Sequence, residues 1–265
     1  LFFPATIHME GIDNIGVLST GKAFTGAYSD HLLEDAWTFG GNATFYLPFG
    51  ASDDTYLSFD YFGTRFAEQM VVDYEHGLNA IEFYALGGKR SYSNNYQVDF
   101  NVEAFRRFTV SATFRYTDAM VELEGRGLVE RPMTSRYKGV LNLQYATNLN
   151  KWIFDFTASV NGKSRVYEFM KGLRGDDGEL LYKDGYTPVY PLLYLQVTKR
   201  FKGVDLYLGA ENLTNFRQKN LVIGTAIEGM SGHVDASRPD FDASAVWGPI
   251  MGTKFYLGAR FTLWK

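Results

Sequence analysis

The feature that most constrains this chain is a two-residue alternation of apolar and polar side chains that recurs in segment after segment. It is clearest in 96–104, 108–117, 152–161 and 255–264, where apolar residues occupy every second position. Successive side chains of a β-strand point to opposite faces, so each of these segments predicts a strand with one apolar and one polar face.

The length of the alternating segments separates two kinds of β-protein. They run to about ten residues or more, whereas an average strand has about five or six. Their second face carries Arg, Asp, Gln and Asn, which suits a water-filled lumen. Aromatic residues make up 17% of the chain, with 18 Tyr and 22 Phe, and such rings favour membrane–water boundaries. The fold class predicted is all-β, a transmembrane antiparallel β-barrel.

Composition excludes several other classes. The chain has no cysteine, so it has neither disulfides nor thiolate metal sites. A net charge of −4 argues against a nucleic-acid partner, because phosphate binding needs a basic excess. There is no apolar run of the roughly 18–20 residues that a membrane helix needs. The mean hydropathy of −0.19 does not argue against a barrel, since alternation averages the two faces.

The connections between the alternating segments are short and long in turn. We predict about nine strands, at 35–48, 54–74, 80–104, 107–124, 134–147, 150–165, 186–201, 204–213 and 250–264. Short turns are expected near Gly50–Asp53, Phe105–Arg107, Asn148–Asn150 and Lys202–Gly203, and longer loops at 119–133, 163–187 and 214–248. Short periplasmic turns and long extracellular loops are typical of outer-membrane barrels. Residues 75–79 should form a tight extracellular hairpin between two very long strands.

Strand parity leads to the predicted domain organisation. If the last strand ends in the periplasm, residues 1–33 form an extracellular loop or an uncertain strand, and 34–265 form one barrel domain. Complete bacterial barrels normally have an even number of strands, so about nine strands here suggest the C-terminal part of a larger barrel. A tenth strand within 1–33 would instead make a complete small barrel. The chain begins without Met or a basic leader, and we expect a mature form or a piece of a longer protein.

Two motifs near the end of the chain resemble a known family. Gly-Ala-Glu-Asn-Leu-Thr-Asn at 209–215 looks like the penultimate strand of TonB-dependent outer-membrane receptors. Trp247-Gly248-Pro249-Ile250, followed by Gly252 and the final alternating strand, is similar to receptors of the Bacteroidetes type. Weaker similarity lies at 135–138, 144–146 and 151–152. The resemblance is strongest over about 134–265 and is weaker from there back to residue 35.

The resemblance implies a function and a set of partners. It implies a 22-stranded barrel in the cell outer membrane, with an N-terminal plug, and energised uptake of an iron chelate, haem, cobalamin or glycan by coupling to TonB. This sequence shows no plug pattern and no TonB box, so both should lie upstream, with the remaining strands upstream or in a separate chain. It also implies that Phe261, Leu263 and Trp264 signal to the barrel-assembly machinery, although they could equally be only the closing strand and its aromatic girdle.

Candidate ligand contacts lie in the long loops. Aromatic and Arg side chains there are the predicted binding residues: Tyr167, Arg174, Tyr182, Tyr186, Arg217 and Trp247. Inward-facing Arg115, Arg165, Arg200 and Arg260 are expected to form a charged lumen with Asp99, Glu103, Asp155 and Asp205. The alternative function is a small complete barrel that acts as a pore or adhesin.

Catalytic, metal and cofactor sites are not expected. His8, His31, His76 and His233 lack metal-ligand spacing, and a loop histidine would become relevant only if the cargo were haem. Asp176, Asp177 and Glu179 suit an Asp-Gly turn better than a Ca²⁺ loop. Only His76, beside Glu75, could serve an enzyme at a barrel rim, and we predict that the protein is not an enzyme.

Overall fold

The structure is a computed structural model that describes residues 34–73, 75, 82–174, 178–218 and 246–262. Its main feature is a ten-stranded antiparallel sheet in which each long strand pairs with the next long strand along the chain. The twelve strands are β1 Asp35–Tyr46, β2 Tyr56–Glu68, β3 Met70–Asp73, β4 Glu82–Ala85, β5 Ser91–Phe105, β6 Phe108–Leu123, β7 Gly127–Glu130, β8 Tyr137–Ala146, β9 Trp152–Asn161, β10 Tyr190–Phe201, β11 Val204–Glu211 and β12 Lys254–Phe261. Short 3₁₀ helices occur at Asn148–Asn150 and Glu168–Gly172.

The predicted strands are confirmed in order and type, and two details are wrong. The very long strands expected at 54–74 and 80–104 are each divided, because β3 and β4 pair only with each other in a separate two-stranded sheet. The loop expected at 119–133 is largely a hairpin, since β7 pairs with the end of β6. The first region therefore forms a separate small sheet, and the second adds β7 to the main sheet.

The register of the sheet gathers most of the polar positions on one face. Gln97 lies opposite Arg115, and Asp99 lies opposite Thr113. The Arg115 guanidinium donates to Gln97 Oε1 at 2.9 and 3.0 Å, and Thr113 Oγ1 donates to Asp99 at 2.5 Å. Such cross-strand pairs stabilise a sheet, and they leave the polar face hydrogen-bonded along its length.

The charged set expected on this face is confirmed only in part. Arg200 pairs with Asp205, with Nε 3.1 Å from Oδ1. Asp155 instead accepts an amide hydrogen bond from Gln144 at 2.6 Å. Arg165 was wrongly assigned to the wall, because β9 ends at Asn161 and Arg165 lies in the following loop.

The opposite face is apolar and carries two bands of aromatic rings. Four tyrosines occupy one row across neighbouring strands, because Tyr116 lies opposite both Tyr96 and Tyr137, and Tyr96 lies opposite Tyr61. Near the short turns a second band contains Phe105, Phe108, Tyr145, Trp152, Phe154 and Phe201. Two aromatic bands that border an apolar surface are the pattern of a membrane-spanning β-sheet.

Two glycines of the last hairpin make room for tyrosine rings. Gly209 lies opposite Tyr256, and Gly258 lies opposite Tyr207. A Cβ atom at either glycine would collide with the facing ring. The Leu-Gly-Ala sequence that occurs in both strands therefore serves packing on the polar face, and Tyr256 donates there to Gln196 at 2.9 Å.

The compact cores lie at the end of the sheet that carries the long connections. One contains Val71, Tyr84, Leu86, Val121 and Leu123, beneath the β3–β4 hairpin. Among the described residues, β1 and β12 each have a paired strand on one side only. No helix in the described part of the chain is long and apolar enough to cross a membrane.

Several predictions lie outside the described residues. They are the assignment of 1–33, the four histidines, Asp176 and Asp177, and Leu263 and Trp264 of the proposed assembly signal. Phe261 is described, at the end of β12, where its side chain is 70% exposed on the apolar face.

Candidate functional site

The long connections pack together into a loop layer, which we define as the described residues of 69–90, 124–136, 162–189, 212–218 and 246–253. Its centre is a cluster of Val166, Met170, Leu173 and Tyr182, all at most 5% exposed. Trp247 packs against this cluster and donates its indole N–H to the Tyr182 hydroxyl at 2.8 Å. Burial raises the pKa of Tyr182, so the ring is neutral at physiological pH. The contact joins the connection after β9 to the connection after β11.

An aromatic stack attaches this cluster to the sheet. Tyr190, the first residue of β10, stacks on Phe216 with ring centroids 4.6 Å apart, and both rings contact Trp247. The Tyr190 hydroxyl donates to the Trp247 carbonyl at 3.1 Å. Gln218 Oε1 accepts from the backbone N–H groups of Trp247 and Gly248, at 2.8 and 3.1 Å. The two ends of the connection after β11 are thereby held side by side.

The Glu-Asn-Leu-Thr-Asn motif forms a turn built on a buried amide. Asn212 has φ 52° and is 6% exposed. Its Nδ2 donates to the carbonyls of Phe216 and Met251, at 2.8 and 3.0 Å, while its Oδ1 accepts from the Phe216 N–H and the Thr214 hydroxyl. Asn tolerates this left-handed backbone better than most residues. Asn212 thus closes the turn after β11 through hydrogen bonds to the backbone.

A buried ion pair joins the β3–β4 hairpin to the loop after β9. Arg165 Nη1 lies 2.6 Å from Glu75 Oε1, and their side chains are 12% and 1% exposed. The other carboxylate oxygen of Glu75 accepts the backbone N–H of Glu168 at 2.6 Å. Breaking such a pair leaves a buried charge uncompensated, which is costly. The pair therefore holds two connections that are 90 residues apart in sequence.

A second charged group surrounds Glu130. Its carboxylate pairs with Arg136 and accepts the Tyr186 hydroxyl at 2.7 Å. The Arg136 guanidinium also lies over the Tyr186 ring, 5.6 Å from its centroid. The hydrogen bond to Glu130, followed by burial, raises the pKa of Tyr186, and the same carboxylate raises the pKa of Arg136. Tyr186 is thus a neutral donor with a fixed ring.

A cavity of about 200 Å³ opens between the β3–β4 hairpin and the neighbouring loops. Its lining includes Val71, Asp73, Glu75, Arg131 and Tyr167. Both oxygens of Asp73 already accept hydrogen bonds, from the Glu75 N–H at 2.8 Å and from the Tyr84 hydroxyl at 3.3 Å. The carboxylate of Asp73 in this cavity therefore already has its hydrogen-bond donors. The half-buried Tyr167 also lines the cavity.

The six predicted binding residues occupy three kinds of environment. Tyr182 and Trp247 lie in the packed cluster, where they support the loops. Tyr167 and Tyr186 are half-buried, and Tyr167 stacks on Phe169 with centroids 5.7 Å apart. Arg174 and Arg217 are exposed. Arg174 donates to the Gly178 carbonyl at 2.8 Å, and Arg217 donates to Asn215 Oδ1 at 3.3 Å.

Sequence reasoning missed the residues that organise these loops. Glu75 was noted only as a neighbour of His76, while Glu130 and Gln218 carried no prediction. Their partners come from distant connections, so neither spacing nor periodicity could indicate them. Among the described residues there is no group of three or more His, Asp or Glu arranged to hold a metal ion. Glu179 of the weighed calcium turn pairs with Lys183 at 2.6 Å.

Comparison with known proteins identifies the fold. No protein-family model matches the sequence, and no curated protein matches it either. Solved structures do match. A variant of the ferric enterobactin receptor PfeA from Pseudomonas aeruginosa aligns with a TM-score of 0.54 and 14% identity, over 86% of this chain and 31% of that chain. The FrpB iron transporter from Neisseria meningitidis aligns with a TM-score of 0.53 and 11% identity, over 87% of this chain and 32% of that chain.

The chain has the fold of the barrel region of TonB-dependent receptors. These neighbours are transport receptors rather than enzymes. The chain spans about a third of their length, as the 31% and 32% coverage shows. At this level of identity the likeness describes fold alone.

Proposed function

We propose that the chain supplies consecutive strands to the barrel of a TonB-dependent outer-membrane receptor, and that the receptor takes up a ferric chelate. The carrying observation is the combination of a membrane-type sheet with a packed loop layer at the end that bears the long connections. The solved structures that share the fold are named as a ferric enterobactin receptor and an iron transporter. These names support iron chelates over haem, cobalamin or glycans as the ligand class.

The proposed ligand contacts are the accessible side chains of the loop layer. Many ferric chelates are anionic and carry aromatic or carboxylate groups, so Arg guanidinium groups and tyrosine rings complement them. The exposed Arg174 and Arg217 would supply charge, and the half-buried Tyr167 and Tyr186 would supply ring surface. Tyr182 and Trp247 would act from beneath by holding the loops in position, because pre-organised contacts cost less entropy on binding.

The proposed partners follow from the open sheet. Among the described residues, β1 and β12 each leave the backbone groups of one side without a partner strand, and such edges are costly in hydrocarbon. We therefore propose that further strands complete the barrel in the outer membrane, to the 22 strands of the family. An N-terminal plug would occlude its lumen, TonB would energise transport, and Phe261, Leu263 and Trp264 would report the closing strand to the assembly machinery.

A binding experiment with defined chelates tests this proposal. The protein, produced with any segments that its gene places around these 265 residues, is titrated with a ferric catecholate, ferric citrate, haem, cobalamin and an oligosaccharide. We expect one ferric chelate to bind. The double change Arg174→Ser and Arg217→Ser should weaken it about tenfold or more, as expected for the loss of charge-assisted hydrogen bonds.

The matched control is Lys183→Ser, which removes an exposed cation from the same loop. Its pair with Glu179 is more than half exposed on both sides, so its loss should change affinity less than about twofold. Radioactive iron uptake by cells should in turn require TonB. Binding only of haem, cobalamin or a glycan would contradict the iron assignment, and uptake that persists without TonB would contradict energised transport.

A further inference from the structure

A row of cations follows the short turns at the opposite end of the sheet from the loop layer. The β5–β6 turn carries Arg106 and Arg107, and Lys151 and Lys202 lie in the β8–β9 and β10–β11 turns. Lys199 lies just before the last of these turns, on β10. We call these five residues the basic rim. Neighbouring strands are about 5 Å apart, so successive turns place a cation about every 10 Å along the sheet.

The cations of the rim have no carboxylate partner among the described residues. Arg106, Lys151 and Lys202 are exposed in turns. Arg107 donates to Asn148 Oδ1 at 2.9 Å, which links the β5–β6 turn to the β8–β9 turn without neutralising the charge. The nearby Arg200, on the polar face, is by contrast neutralised by Asp205. Glu103 accepts the backbone N–H of Arg107 at 2.5 Å but forms no ion pair with a rim side chain in the described residues, so the rim keeps an excess of positive charge.

Lys199 shows which way the rim faces. It lies directly opposite Trp152 on the apolar face, and its ammonium group is 4.3 Å from the centroid of the Trp152 ring and 5.6 Å from that of Phe201. A lysine on a lipid-facing surface extends its stem along apolar side chains and places its charge in the headgroup region. The ammonium group of Lys199 is then at the height of the lipid phosphates.

Leu149 indicates that the β8–β9 turn also lies at the level of the lipid headgroups. It occupies the tip of the β8–β9 turn with φ 58° and is 77% exposed. A large apolar side chain in a left-handed backbone conformation is unfavourable in water, where a polar residue or glycine is preferred. Contact with the boundary between headgroups and acyl chains would shelter it, and it is two residues from Lys151.

The β1–β2 turn differs from the other short turns. Residues 47–55 include Asp53 and Asp54 and no Lys or Arg. The turns between β5 and β11 are thus basic and the β1–β2 turn is acidic, although all four turns lie at the same end of the sheet. This local difference provides a comparison within the molecule.

We propose that the basic rim binds anionic glycerophospholipids in the leaflet on the short-turn side of the membrane. The proposal rests on the proposed function only in requiring that the sheet crosses a bilayer, and it goes beyond it in specifying the lipid. Cations beside rings on an apolar face fit a lipid with a phosphate charge above acyl chains. An acidic soluble protein would leave Lys199 and Leu149 without an apolar counterpart.

Spin-labelled lipids measure this preference directly. The protein with any segments that its gene places around these residues is reconstituted in phosphatidylcholine, with spin-labelled phosphatidylglycerol or phosphatidylcholine as the probe. We expect the protein to bind phosphatidylglycerol several-fold better. The double change Lys151→Ser and Lys199→Ser should reduce the preference at least twofold, and high salt should reduce it further.

The matched control removes the two exposed lysines of the polar face, Lys138→Ser with Lys254→Ser, and should leave the lipid preference unchanged. Equal binding of both probes by the unaltered protein would overturn the proposal. Equal losses in the two double variants would also overturn it, since general charge would then be responsible. Heat-modifiable migration on gels reports insertion separately. A protein that fails to insert would overturn the proposed function as well. An inserted protein without a lipid preference would overturn only the proposal that the basic rim binds anionic lipids.

Discussion

The ten-stranded main sheet, which we call the wall, and the loop layer are stabilised in different ways. In the wall, each strand pairs with the next strand along the chain and side chains alternate between the two faces. These two rules determine which residues lie opposite each other, as with Gln97 and Arg115. In the loop layer, the decisive contacts join residues from separate connections, as with Glu75 and Arg165. The wall is therefore tolerant, since many weak pairs share its stability, whereas the loop layer depends on a few buried contacts.

The largest effect is expected where the loop layer depends on one buried charge pair. Glu75→Gln leaves Arg165 buried without its carboxylate, which should cost about 3–5 kcal/mol of local stability. Hydrogen exchange should rise in the loops after β3 and β9 while exchange in the wall strands stays slow. Lys183→Ala, at the exposed pair with Glu179, should cost less than about 1 kcal/mol. Equal protection of the loops in both variants would show that the buried pair is dispensable.

The wall should respond to which face is changed rather than to a single contact. Ala112 lies on the apolar face and Ser111 on the polar face of β6. Ala112→Arg should destabilise the inserted protein by about 2–4 kcal/mol, because the charge would lie in hydrocarbon. Ser111→Arg should cost much less. Urea unfolding in lipid vesicles measures both, and similar losses for the two neighbours would refute the assignment of the faces.

The smallest effect is a pH dependence confined to the β3–β4 hairpin. Burial, chiefly, raises the pKa of Tyr84 from 10 to about 12. In an opened hairpin this phenol would ionise near 10, so its contribution is full below pH 10 and is lost as pH rises towards 12. Protease cleavage in 69–90 should increase over that range. Tyr84→Phe cannot ionise and should shift this dependence, whereas an unchanged profile would assign the titration to another group.

This difference between regions also explains what could be predicted from the sequence. Alternation located β1, β6 and β8–β12 to within four residues, because apolar and polar positions alternate along a two-faced sheet. The predicted ranges overran the end of β2 by six residues and the start of β5 by eleven. The strand predicted at 204–213 begins with β11 and overruns its end by two residues. The division at Gln69 and the β3–β4 hairpin were missed, because the pairing partner changes there through contacts between segments that a local pattern does not show.

The candidate site was predictable in composition more than in geometry. Tyr167, Tyr186, Arg174 and Arg217 are indeed accessible or partly so, as a loop position suggests. Tyr182 is buried, and no local pattern indicates that a tyrosine in the connection between β9 and β10 will meet a tryptophan 65 residues later. Long-range packing of this kind is set by tertiary structure alone.

The most direct test of the central claim is thiol labelling along β6. These 265 residues contain no cysteine, so single cysteines at 110–114 can be read without native background from this region. The account predicts that a small hydrophilic thiol reagent labels positions 111 and 113 in the membrane-inserted protein at least about tenfold faster than positions 110, 112 and 114. Uniform labelling, or fast labelling of the apolar positions, would contradict a membrane-spanning wall with a polar inner face.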